Sequence, residues 1–289
     1  SLGTDDGTRS LSVDLMSAVD MYGGSLGPIA ILKRINLGDG TKTIADAEAI
    51  NRNLALQLNR DIDITERSDD VNASVETNIG NNFYLDNGME LGFMLGAVYG
   101  SEWANKESID RSFGDPEDIF STKMESTRSV NMTGNANFGW RWYDDHRIET
   151  TSIFLRNTDD KASIIDSFTS SFPLSDGQGF REYGTRFEER NLTVNQIRGV
   201  HRFGGITRDL INVDKFEWLD ELTVEWFYSD ATTRTDIPNE TNILYKTNVD
   251  SVTAAVMAQT LQASASAGDF RFTDLDDAVE SYGYDIKLP

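Results

Sequence analysis

Strict alternation of apolar and polar positions dominates this chain. From Val130 to Trp142 the even positions are Val130, Met132, Gly134, Ala136, Phe138, Trp140 and Trp142, and the odd positions between them are Asn131, Thr133, Asn135, Asn137, Gly139 and Arg141. Successive strand side chains point to opposite faces, so the segment predicts a strand with one apolar and one polar face. Met89, Leu91, Phe93, Leu95, Ala97 and Tyr99 repeat the pattern. So do Leu222, Val224, Trp226 and Tyr228, and Tyr282, Tyr284, Ile286 and Leu288. Leu11, Val13, Leu15 and Val19 make a weaker fifth case. Ile148–Arg156 and Phe187–Phe203 read as extended but alternate poorly.

Alternation fits a soluble sandwich with its apolar face on a core. It fits a membrane barrel with that face on lipid equally well. The connections discriminate. Asp86-Asn87-Gly88 is a tight-turn signal, and Tyr143-Asp144-Asp145-His146 is a second short link. Between them the sequence predicts long connections over Ser101–Thr127, Asn157–Arg186 and Asp230–Val279. Tight turns on one rim and large loops on the other describe a membrane barrel, and several loops of about 25 residues are rare in a compact soluble domain. Aromatic residues gather near the predicted strand ends (Phe83 and Tyr84, Tyr99 and Trp103, Trp140 to Tyr143, Trp226 to Tyr228), which suits a headgroup-level girdle and an ordinary core alike. One helix is expected: Ile44, Ala47, Ile50, Leu54 and Leu58 fall at helical spacing after a Thr43/Asp46 capping pair, and it should pack on its own loop.

The charge balance excludes several classes. With 26 Lys+Arg against 48 Asp+Glu in 289 residues, the net charge is −22. That opposes binding to nucleic acid, which requires a basic surface. The absence of cysteine removes disulfides, thiolate metal sites and thiol nucleophiles. No stretch approaches the roughly 18–20 apolar residues of a membrane-crossing helix. The polar start Ser1-Leu2-Gly3-Thr4-Asp5-Asp6 reads as a mature or internal beginning rather than a signal peptide.

No catalytic constellation assembles, so no enzyme, cofactor or metal site is expected. His146 lies in a short acidic turn and His201 in an extended segment, far apart in sequence and without a ligand-spaced partner. There is no phosphate-binding loop, nucleophile elbow or zinc-protease motif. The acidic pairs Asp5-Asp6, Asp69-Asp70, Asp144-Asp145, Asp159-Asp160 and Asp276-Asp277 lack the spacing of a calcium loop and read as solvated loop charge.

The run Tyr183-Gly184-Thr185-Arg186-Phe187-Glu188-Glu189-Arg190-Asn191-Leu192, continuing to Gln196, Gly199, His201 and Phe203, resembles a recurrent barrel segment of TonB-dependent outer-membrane receptors. Gly80 to Trp103 resembles an early barrel hairpin of that family. Arg156-Asn157-Thr158-Asp159-Asp160 resembles an exit into an outer loop, and Phe270–Leu275 followed by Tyr284–Pro289 resembles the approach to a later strand.

The resemblance implies an all-β fold, an antiparallel transmembrane β-barrel with short periplasmic turns and long extracellular loops. About eight of its 22 strands are visible here. Residues 1–289 would be the N-terminal part of the barrel domain, with the plug domain and C-terminal strands not present. Strands near Val71–Ile79, Ser126–Gly139, Phe187–Phe203 and Glu280–Leu288 would run toward the periplasm, and those near Met89–Gly100, Arg147–Arg156 and Leu222–Ser229 outward. Asn131, Thr133, Asn135 and Asn137 would face the lumen as ordinary hydrated wall. The implied function is active uptake of a scarce nutrient such as a siderophore or carbohydrate across the outer membrane of a Gram-negative bacterium. Its partners would be the TonB–ExbB–ExbD energising complex, lipopolysaccharide and membrane lipid, and a small-molecule ligand at unknown residues. A passive porin-like channel and a soluble secreted glycan-binding β-protein are the alternatives.

Overall fold

The computed structural model describes residues 2–3, 18, 21–22, 27–36, 40–58, 64–66, 71–204, 207, 209, 222–264 and 267–288. It is an antiparallel all-β architecture. A two-residue strand β1 (Leu2–Gly3) pairs with β2 (Thr65–Glu66). The remaining strands are β3 (Ala73–Tyr84), β4 (Met89–Arg111), β5 (Phe120–Trp142), β6 (His146–Ser167), β7 (Gln178–Arg202), β8 (Thr223–Val249), β9 (Val256–Leu261) and β10 (Gly268–Lys287). They form one eight-stranded sheet in the order β10-β8-β7-β6-β5-β4-β3, with β9 on β8 beside the main path. The sheet is open: β3 and β10 are its edges and do not pair with each other. The weak alternation at Leu11–Val19 lies outside the described residues, apart from Ala18.

The expected long loops are largely strand. β4 and β5 are each 23 residues long and β8 is 27, so Ser101–Arg111 and Phe120–Thr127 continue the ladder instead of leaving it. The physical reason is that Ser101–Arg111 has polar or charged side chains on both faces. The period-2 hydrophobic signal vanishes there while the backbone pairing goes on without a shift to Arg111↔Phe120. The same holds for Asn157–Ser167, paired throughout with Phe180–Arg190. What separates the strands at this end is short: residues 112–119, 168–177, 250–255 and 262–267.

These short links pack into a cap. Phe168, Leu174 and Val249 are buried together with Phe120, Ala254 and Val256 against them. Asp118 ties two links together, accepting from the Ser175 backbone N–H at 2.7 Å and its hydroxyl at 2.6 Å. Midway up β8 the ladder slips against both neighbours, between Arg186 and Glu189 on β7 and between Arg271 and Thr273 on β10. Pro238 sits in that slip, where a residue without an N–H costs no ladder bond.

At the other end the tight turns appear as expected. Leu85–Gly88 joins β3 to β4, with Gly88 at φ +75°, and Tyr143 opens the β5–β6 turn at φ +48°. The side chain of Tyr143 lies over Gly88, so a Cβ there would come within 2.3 Å of the ring.

In the half of the sheet toward these turns, register places the apolar alternates of neighbouring strands on one face: Phe83↔Leu91↔Trp140↔Ile148, and Trp226↔Tyr284 farther on. Phe83, Leu91 and Tyr284 are solvent-exposed, as is Phe138 on the same face at 54%, while Trp140, Ile148 and Trp226 are half-buried. The edge of this apolar band away from the turns is oblique. It lies at Tyr99 on β4, whose row continues through Met132, Arg156, Asn191 and Arg234 to Asp276 on β10, but on β10 it lies at Tyr282. The drop is 282 − 276 = 6 residues, about 20 Å at ~3.3 Å per residue. Across five strand spacings of ~4.8 Å this is a slope of about 40°. A polar chain crosses this edge on the same face: Ser152 donates to Asn195 at 2.8 Å and Asn195 to Asp230 at 3.2 Å. Higher still, Ile64, next to β2, and Tyr183 pack on Ala162 and Ile164.

Two helices are described. Helix α1 (Pro28–Ile35) has no counterpart in the sequence reading: it is short, and its start is marked only by Pro28. Helix α2 (Ile44–Ala55) is the expected one. Its capping box is complete: Asp46 accepts from the Thr43 N–H at 2.7 Å, and Thr43 Oγ1 accepts from the Asp46 N–H at 3.4 Å. Ala18, Ile31, Ala47 and Leu54 form the buried seam between the helices and residue 18.

Two outcomes are expected. Gly88→Ala forces a β-carbon into a left-handed turn and against Tyr143, and should cost more than about 1 kcal/mol in urea unfolding. Thr43→Ala should cost α2 about 1 kcal/mol, read by amide exchange over Ala47–Leu54. The Thr43 N–H and hydroxyl hold the Asp46 carboxyl below its ordinary value of 3.8. A depressed carboxylate stabilises the folded form above its unfolded pKa. Protection of α2 should therefore be full at neutral pH and fall as pH drops below about 4 and through the folded value.

Candidate functional site

The second face of the turn-proximal half carries the ordered polar chemistry. Its rows are set by the same register, one residue out of step with the apolar rows. Tyr84↔Glu90↔Arg141↔Arg147 is followed by Asn82↔Gly92↔Gly139↔Glu149↔Arg198, and Glu225 and Lys287 carry the pattern to β8 and β10. Charges of opposite sign meet across strands. Arg141 pairs with Glu90 across β4 and β5, and Glu225 takes Lys287 at 2.9 Å and Arg198 at 3.4 Å from its two neighbouring strands, while Arg147 pairs with Glu149 along β6. These groups are largely solvent-accessible, and exposed pairs contribute only about 0–1 kcal/mol each. The lattice therefore sets the electrostatic character of this face more than its stability.

Glycines open space within this lattice. A groove of about 360 Å³ runs over Gly92 and Gly139 between Asn82, Asn137, Gln196 and Arg198. A second one is lined by Glu90, Arg141, Arg147 and Glu149. Gly96 leaves room for two amide side chains: Asn78 and Asn135 from the flanking strands lie over it, their Oδ1 atoms 2.4 and 2.1 Å from where a Cβ would stand. The result is a surface of side-chain amides, carboxylates and guanidinium groups with backbone accessible between them.

Asn131, Thr133, Asn135 and Asn137 all fall on this polar face. Asn131 accepts from Asn157 Nδ2 at 2.6 Å and Asn137 from the Thr151 hydroxyl at 3.0 Å. Asn135 covers Gly96. The neighbouring charges of β6 to β10 had a sequence signal in the charged pairs Arg147/Glu149 and Asp285/Lys287, spaced two apart as one strand face requires. It was masked by the poor apolar alternation of β6 and β7.

His146 and His201, distant in sequence, are direct cross-strand partners on β6 and β7. Their Nδ1 atoms are 3.1 Å apart. Trp142 stacks on His146 at 5.5 Å between centroids, and Trp226 on His201 at 6.3 Å. The Trp226 ring occupies the space over Gly199, where a Cβ would come within 2.3 Å of the indole. Among the described residues no group of three His, Asp or Glu side chains is placed to hold a metal ion.

No protein-family model matches this chain, and no curated protein matches it.

Gly199→Ala should drive the indole of Trp226 off its seat and break the stack on His201. The expected result is an altered near-UV circular dichroism band with a loss of about 1–3 kcal/mol in stability.

Proposed function

We propose that this chain is part of the barrel of a TonB-dependent outer-membrane receptor that takes up a scarce small-molecule nutrient in a Gram-negative bacterium. The exposed apolar band would lie against lipid and the charged and amide-rich face would line the lumen. The observation that carries the reading is the oblique edge of the band. Strands of a membrane barrel tilt by about 35–45°, so an apolar belt level with the bilayer must cross the strands on a slant. The slope of about 40° found across β4 to β10 suits that geometry. A sandwich core would instead be covered by a second sheet, and among the described residues this face has none in its turn-proximal half.

Strand length supports the same assignment. Spanning takes about 9–11 residues, so strands of 20 to 27 residues would stand well clear of the bilayer on the side away from the tight turns. There they would present the capped links to the medium and to lipopolysaccharide. Ligand would be caught at that end and pass over the polar face, released by force delivered from the TonB–ExbB–ExbD complex through a plug. No covalent step is required of the chain, and the unclosed sheet would be completed by further strands on the β3 and β10 edges, whose backbone groups need partners in lipid.

The test is uptake. Cells expressing the full-length protein should accumulate the nutrient only while TonB is present and energised. Steady ion conductance in planar bilayers with no energy source would replace this reading with a passive channel, and a monodisperse protein in detergent-free buffer would replace it with a soluble binder. At the lipid face, Phe138→Arg should cost about 2–4 kcal/mol near the midplane and reduce assembly into the outer membrane. Normal assembly of that variant would overturn the face assignment.

A further inference from the structure

At the turn end of the sheet Asp145, His146, His201 and Thr207 form a connected group outside the charged lattice. We propose that His146 and His201 are an open two-imidazole chelate for a divalent first-row metal, copper(II) before zinc(II), with solvent completing the coordination.

The geometry of the facing nitrogens is the first support. Nδ1 of His146 and Nδ1 of His201 are 3.1 Å apart. An ion bound to both at about 2.0–2.1 Å would subtend an angle of about 98°, between the square-planar and tetrahedral values. Thiolate and multi-carboxylate competitors are absent from the pair, and an all-imidazole set favours copper by the usual stability order.

Tautomer control is the second support and is independent of the first. The Thr207 hydroxyl has one proton, and Asp145 Oδ2, at 2.6 Å, is its strongest acceptor. His146 Nε2, 3.2 Å from Thr207 Oγ1, must then be the donor to that hydroxyl oxygen. That fixes His146 as the Nε2–H tautomer and leaves its Nδ1 lone pair directed at His201. A carboxylate holding the remote N–H of a ligating imidazole, here through a hydroxyl, is the usual outer shell of a histidine metal site. Thr207 is 6% exposed, and its backbone N–H also bonds Asp145 Oδ2 at 3.2 Å, so the relay is anchored.

Without metal, the His201 Nδ1–H can donate to His146 Nδ1. Metal entry needs a shift of that proton to the His201 Nε2 and a turn of both rings that brings each Nδ1 about 40° off the N–N line, with no net proton release from the pair. Antiparallel register holds the two rings opposite each other, and the Trp142 and Trp226 stacks limit their rotation. Binding would thus tie β6 to β7 without rearranging the sheet. Neither membrane insertion nor transport is needed for this.

The test is a copper(II) titration of the full chain in detergent, followed by electron paramagnetic resonance. One equivalent should give a signal with hyperfine splitting from two imidazole nitrogens. His201→Gln and His146→Gln should each leave one nitrogen and weaken binding at least tenfold. Thr207→Val should keep both nitrogens and weaken binding by about 10- to 100-fold. A wild-type spectrum without two-nitrogen coupling overturns the proposal and needs no variant to fold. Persistence of that coupling in the His146→Gln/His201→Gln double variant overturns it as well. Unchanged affinity in Thr207→Val would overturn the role given to the relay.

Discussion

The organisation of this protein depends on the continuity of one antiparallel ladder. From β5 through β7 the pairing runs without a shift, Trp142↔His146 at one end to Ser121↔Ser167 and Ser167↔Phe180 at the other. Because side chains alternate with period two, a one-residue slip would exchange the two faces of a strand. The tight turns at Leu85–Gly88 and Tyr143–Asp145 exclude that slip, which is why two residues in left-handed conformation at one rim decide which chemistry appears on each face. The apolar band, the charged lattice and the His146–His201 pair are three readings of the same register.

Away from the turns the ladder is held differently. There the side chains offer little apolar burial on either face of β4, and support comes from the cap around Phe168, Leu174 and Val249 and from polar groups fixed across strands. Arg181 makes two bonds to Asp166, from Nε at 2.6 Å and Nη2 at 2.7 Å. Asn72 extends the β3 edge by using its side-chain amide as a peptide unit, accepting from the Trp103 N–H at 2.7 Å. The slip around Pro238 is confined to the sheet's far half, where no alternating apolar face must be preserved.

Much of the turn-proximal half was legible in the sequence, since alternation in β4, β5 and β10, the Asn87-Gly88 turn and the Thr43/Asp46 cap are local signals with direct physical causes. The far half was not. Ser101–Arg111 and Asn157–Ser167 are strands whose two faces have the same polarity, so hydrophobic periodicity has nothing to report, and they read as loop. The candidate polar surface was half legible: Asn131 to Asn137 announce their face within one strand, whereas the match of Arg198 to Glu225, or of His146 to His201, exists only across strands. Long-range register is the quantity that a single chain does not display.

The shortness of the links at the far end has a consequence for how the protein meets its surroundings. A protease must draw an extended stretch of chain into its cleft, which is why nicking concentrates at exposed loop tips, and antibodies raised on short peptides rely on similarly free segments. Here Ser101–Arg111 and Phe120–Thr127 are locked edge to edge in a sheet, and the link between them, residues 112–119, is short and tied to its neighbour through Asp118. A surface built this way offers folded strand faces in place of pliable loops. At this end digestion of the native protein would begin at very few points, and recognition would depend on conformation instead of linear sequence.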